Sequence, residues 1–107
     1  MNKTDSIARK IFGWKLNRWD RWYDYEKGIF IQDADFQPEK NLNHAMLIVE
    51  RLEAFGYQYN TDGISEVRFN DVRATGETLA KAITNAAYSI IEQNAIAGSN
   101  KLWRQLC

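Results

Sequence analysis

The chain has 107 residues, 45% hydrophobic and 13% aromatic, enough for one buried core and too apolar for disorder over most of its length. Its fourteen basic and fourteen acidic side chains cancel, so it lacks the excess positive charge that nonspecific nucleic-acid binding relies on. The single cysteine, Cys107, leaves no internal disulfide and no multi-cysteine metal site, no apolar run is long enough to span a membrane, and the polar start at residues 1–6 lacks the apolar stretch of a signal peptide. These features predict a cytoplasmic protein, and a domain of this size gains from forming a homo-oligomer.

Residues 6–12 carry Ile7, Ala8, Ile11 and Phe12 on one helical stripe, with Thr4 or Asp5 to cap it and Gly13 to end it. Residues 14–31 are crowded with Trp14, Trp19, Trp22, Tyr23, Tyr25, Ile29 and Phe30, which favour strand. Asn17 and Asp20 suit turns and Lys27-Gly28 a break, so this segment reads as a strand or hairpin. Residues 32–40 form a polar connection with the single proline, Pro38. Asn41 is placed to cap a helix carrying Leu42, Ala45, Met46, Val49, Leu52 and Phe55 at helical spacing and closed by Gly56.

Residues 57–61 and 66–69 alternate around Asp62-Gly63 and read as a β-hairpin. A polar loop, residues 71–78, then opens an Ala-rich helix over residues 79–91, with Leu79, Ile83, Ala86, Ala87 and Ile90 on one stripe. Residues 94–107 read as a tail in which Leu102, Trp103 and Leu106 can dock on the body or on a neighbouring subunit. The reading is one α+β domain over residues 1–93 followed by that tail.

Two groups of residues suggest a ligand. The free amides and the dipole at a helix start favour an anion. Around the start of the last helix, Arg73 can grip a phosphate while Thr75, Gly76 and Thr78 complete a cradle. The competing reading is structural: Thr75 caps the helix with Thr78 at the capping-box position, and Glu77 opposes an anion. The second group is the aromatic-basic cluster of Lys15, Arg18, Trp19, Arg21, Trp22 and Tyr23, whose rings can stack on bases and whose cations can meet phosphates. A regular strand cannot bury Trp19, Trp22 and Tyr23 on one face, so at least one ring is expected outside or at an interface.

For catalysis the sequence offers little. The one histidine, His44, reads as a capped, partly exposed helix residue rather than a base or metal ligand. Asp33 and Asp35 flank Ala34 and read as a solvated loop rather than a cation site. No hydrolase, zinc-protease or nucleotide-loop motif is present, and no cofactor or metal is expected.

Three blocks carry a family resemblance: Ile7-Ala8-Arg9-Lys10-Ile11-Phe12-Gly13-Trp14, Asn43-His44-Ala45-Met46-Leu47-Ile48-Val49-Glu50-Arg51-Leu52, and Gly76-Glu77-Thr78-Leu79-Ala80-Lys81-Ala82-Ile83 with Ala86-Ala87. In this combination the chain resembles the phage ABA sandwich domain family, small proteins of tailed phages and prophages, over about residues 5 to 93. The resemblance implies a small α+β sandwich, an antiparallel sheet flanked by about three helices in the order α-ββ-α-ββ-α. It implies a phage or prophage origin and no particular reaction.

By analogy of size and context alone, small phage proteins counter bacterial defence, some by trapping its nucleotide signals. The leading expectation is therefore an oligomeric binding protein, not an enzyme, that sequesters a signalling nucleotide between subunits. Its bases would stack on Trp19 or Trp22 beside Arg21, and its phosphates would meet Arg73 and the helix start. The alternative is a protein-interaction module that blocks a host defence protein. A nucleotide-degrading enzyme and a sequence-specific DNA binder rank below both, the latter for want of a basic recognition helix.

Overall fold

The computed structural model describes residues 3–63 and 65–93. Helix α1 spans Lys3–Lys10 and buries Ile7 and Ala8. Its closure explains the Gly13-Trp14 pair: Gly13 takes a left-handed φ of 72°, and the Trp14 amide turns back to donate to the Ala8 carbonyl at 3.0 Å.

The aromatic segment folds into three strands: β1 (Lys15–Leu16), β2 (Arg21–Asp24) and β3 (Ile29–Gln32), an antiparallel sheet in the order β1-β2-β3. Both expected turn residues act. The Asn17 side chain accepts from the amides of Trp19 and Arg21, and Asp20 turns the chain at φ 59°. A 3-10 turn over Asp33–Asp35 leads past the buried Phe36 to α2 (Leu42–Ala54). Asn41 caps that helix, its side chain accepting from the His44 amide at 3.2 Å.

Strands β4 (Tyr59–Asp62), β5 (Glu66–Phe69) and β6 (Val72–Thr75) form a second antiparallel sheet with β5 in the middle. Here the structure corrects the expected loop over residues 71–78, whose first half is strand β6. Asn70, at φ 54°, and Asp71 make a two-residue turn between the paired Phe69 and Val72, and Val72 and Ala74 lean inward while Arg73 and Thr75 point out. Helix α3 (Leu79–Glu92) starts where the sequence places it, with Thr78 rather than Thr75 as its cap. The single expected sheet is thus two separate three-stranded sheets among three helices.

Two hydrophobic clusters hold these elements. The larger joins Ile7 and Ile11 to Ile48, Val49 and Leu52 of α2, to Val67 and Phe69 of β5, and to the small-residue face of α3. Ala80, Ala82, Ala86 and Ala87 are all buried there, so α3 lies close to its neighbours on several sides at once. The one hydroxyl on that face, Thr84, is satisfied by the Ala80 carbonyl at 2.9 Å. The smaller cluster is aromatic: Trp14, Trp22 and Phe36 with Ala8, and Phe12, Leu16 and Ile31 packed around them. It anchors the first sheet. The tail expected over residues 94–107 lies outside the described residues.

Candidate functional site

Strand register sorts the aromatic-basic cluster into two faces. The pairs Lys15–Tyr23, Tyr23–Phe30 and Arg21–Gln32 put Lys15, Arg21, Tyr23 and Phe30 on the outer face of the first sheet. Tyr23 stacks its neighbours there: Tyr25 meets it edge-on at 4.7 Å and Phe30 lies tilted at 4.9 Å. Phe30 is 58% exposed and Tyr25 57%. The turn at the Arg21 end of the sheet carries Trp19, 64% exposed, with the Arg18 guanidinium 4.6 Å above its ring. Exposed rings beside three cations, Lys15, Arg18 and Arg21, make this the surface best suited to an interaction among the described residues.

Trp22 lies on the opposite face and is a correction to the expectation that a base stacks on it. It is fully buried, its Nε1 donates to Asp33 Oδ1 at 2.8 Å, and Arg9 covers the ring at 5.1 Å. Its alternation with Tyr23 follows from pairing with Ile31, which faces the aromatic core. Asp33 is accordingly an acceptor for an indole rather than part of a solvated loop.

The expected anion cradle is divided. Arg73 stands on the outer face of the second sheet, opposite Arg68, with its Nε 3.0 Å from Glu66 Oε2. It lines a polar depression of about 120 Å³ with Asn60, Asp62, Glu66 and Arg68. Thr75 is exposed on the same strand. Thr78 lines a different, open depression beside Lys40, Glu77 and Lys81, and its hydroxyl is occupied in capping Lys81 N at 3.2 Å. Gly76 has a packing role: a Cβ there would sit 2.6 Å from the Ala82 nitrogen, so only glycine lets the chain pass the first turn of α3 this closely. Arg73 and the helix start therefore do not converge within one chain, and neither does Arg73 with Trp19, which belongs to the other sheet.

A cleft of about 270 Å³ that sequence reasoning missed lies between α2 and the turn joining β2 to β3. Phe12 and Trp14, stacked at 4.6 Å, form its aromatic wall. Leu47, Glu50, Arg51 and Ala54 line it from α2, Asp24 from the end of β2, and Glu26 and Lys27 from the turn. Arg51 spans the gap, paired with Glu26 while its guanidinium lies 5.6 Å from the Phe12 ring centroid.

Two polar groups in this cleft are incompletely used. Asp24 is 4% exposed; its Oδ1 accepts the amides of Glu26 and Lys27, and Oδ2 takes no hydrogen bond from the described residues. The Trp14 Nε1–H is buried with no acceptor among the described residues, a loss of about 1–3 kcal/mol for a polar group left unpaired. Nothing in the sequence flags this site, because its walls come from three distant segments.

His44 stacks on Phe36, and its Nδ1 accepts the Gln37 amide at 3.1 Å, which makes it a brace for the connection into α2. Burial pushes the phenols of Tyr57 and Tyr59 above their ordinary range, with Glu53 adding to the effect at Tyr59. Among the described residues no group of three or more His, Cys, Asp or Glu side chains could hold a metal ion, and no helix is long and apolar enough to cross a membrane.

A family model described as the phage ABA sandwich domain matches residues 5–88. No curated protein and no solved structure matches the chain.

Proposed function

Given that the chain belongs to the phage ABA sandwich domain family, we propose that it is a phage-encoded binding protein that sequesters a nucleotide-derived defence signal in the host cytoplasm without cleaving it. The observation that carries this reading is the outer face of the first sheet, where Trp19, Tyr23, Tyr25 and Phe30 stand beside Lys15, Arg18 and Arg21. Rings on a sheet face offer stacking platforms and the flanking cations meet phosphates, the combination used by single-strand and nucleotide binders.

The face is open, so a homo-oligomer in which a second copy covers it completes the site. Arg73 and Thr75 of that copy are then available to the phosphates, which one chain alone does not allow. Calorimetry with a panel of linear and cyclic nucleotides tests the reading. Saturable heat, a ligand recovered chemically intact after denaturation, and about tenfold weaker binding on Trp19→Ala are expected, the loss of one base stack. Silence across the panel removes it.

A second reading is a module that blocks a host protein. The feature favouring it is β3, an edge strand whose Ile29 and Phe30 are 47% and 58% exposed, suited to strand addition by an extended partner. A stoichiometric host protein captured by the native chain and lost with Phe30→Asp favours this reading over the first.

A further inference from the structure

We infer that the cleft between α2 and the β2–β3 turn binds a small, neutral, planar molecule that presents a hydrogen-bond acceptor beside a donor, the pattern shared by a nucleobase edge and an aromatic carboxamide. The site is separate from the outer face of the first sheet and stands whether or not that face binds a nucleotide.

Trp14 Nε1–H is the one buried side-chain polar atom without a partner among the described residues, and the hydrogen bonds that Asp24 accepts there fall on Oδ1 and leave Oδ2 open. Extending the Lys15–Tyr23 register by one step sets Trp14, just before β1, across from Asp24 at the end of β2, so the buried indole and the carboxylate lie on the same side of the sheet. A buried donor without an acceptor is rare in folded proteins, and a bound molecule that reaches it supplies the acceptor that the described residues do not. One molecule offering a carbonyl or ring nitrogen to Trp14 Nε1 and an N–H to Asp24 Oδ2 satisfies both.

Shape and charge narrow the class. A space of about 270 Å³ sits at the small end of ligand pockets, suited to one or two rings and too small to enclose a dinucleotide. The aromatic wall of Phe12 and Trp14 favours a flat, apolar-faced guest. Three carboxylates, Asp24, Glu26 and Glu50, stand against two cations, Lys27 and Arg51, and Arg51 is already paired with Glu26. A phosphate therefore meets net repulsion here, in contrast to the basic outer face of the first sheet.

The test follows the indole N–H signals of the ¹⁵N-labelled full chain by NMR while it is titrated with the common ribonucleosides, their 5′-monophosphates and nicotinamide. A saturable displacement of the Trp14 signal is expected with a nucleoside or with nicotinamide, and which one responds identifies the source. The matching monophosphate should bind more weakly than the nucleoside. Trp14→Phe assigns the signal and should lower affinity about tenfold in calorimetry, as for one lost hydrogen bond.

Ala54→Trp, at an exposed position on the rim, fills the mouth without disturbing the core and should abolish binding. Trp19→Ala should leave it unchanged, which separates failure here from failure of the sheet-face reading. A Trp14 signal that stays still with every probe, or a displacement that survives Ala54→Trp, overturns the proposal.

Discussion

The two sheets of this protein are built alike and used differently. Each is a three-stranded antiparallel meander, but the second presses Val67 and Phe69 into an aliphatic core shared with all three helices. The first rests on a compact aromatic cluster, and its other side carries Phe30, with Tyr25 and Trp19 exposed in the adjoining turns. Phe69 is 0% exposed and Phe30 58%, though both are phenylalanines on three-stranded sheets. A monomeric protein gains little from leaving large rings in water, so the contrast places the second sheet in the core and leaves the first with the exposed aromatic face on which the proposed function rests.

Paired substitutions break or sharpen that contrast most strongly. Phe69→Ala should cost about 3–5 kcal/mol in urea unfolding, and Phe30→Ala less than about 0.5 kcal/mol. Comparable losses from the two would erase the division of labour. Gly76→Ala should cost about 1–3 kcal/mol, because the new methyl meets the backbone of α3 at Ala82 and Lys81, and a lowered denaturant midpoint with an unchanged slope would register it.

Thr78→Ala should cost about 1 kcal/mol through loss of the helix cap while Thr75→Ala stays near neutral; the reverse order would return the capping role to Thr75. The smallest effect is on pH. The folded phenols of Tyr57 and Tyr59 ionise above the ordinary value of 10.0, so the unfolded chain loses its protons first and stability should fall as pH rises past about 10. Tyr59→Phe should flatten that decline in alkaline denaturation curves.

Much of the fold was legible locally. Asn41 and Gly56 bracket α2, Asp62-Gly63 marks the turn between β4 and β5, and the alanine stripe locates α3, because caps, turns and periodicity are properties of a few adjacent residues. Strand β6 was obscured by Arg73 and Thr75, which read as loop chemistry. Yet Val72 and Ala74 alternate with them at period two, and Asn70-Asp71 is a turn signal. That Trp19 is outside and Trp22 inside was not legible, since both are tryptophans three positions apart and only the turn over residues 17–20 decides which one enters the strand. The cleft was least accessible of all, because Trp14, Asp24 and Arg51 meet only after α2 has folded beside the first sheet.

The ion pairs Arg51–Glu26, Arg73–Glu66 and Lys81–Glu77 each keep at least one side chain more than half exposed. Surface pairs of this kind contribute little, and dissolved salt screens them further. Raising ionic strength should therefore leave the melting temperature almost where it was while weakening any phosphate held by Arg18 and Arg21. A salt titration thus offers a simple way to tell a charged guest on the sheet from an uncharged one in the cleft.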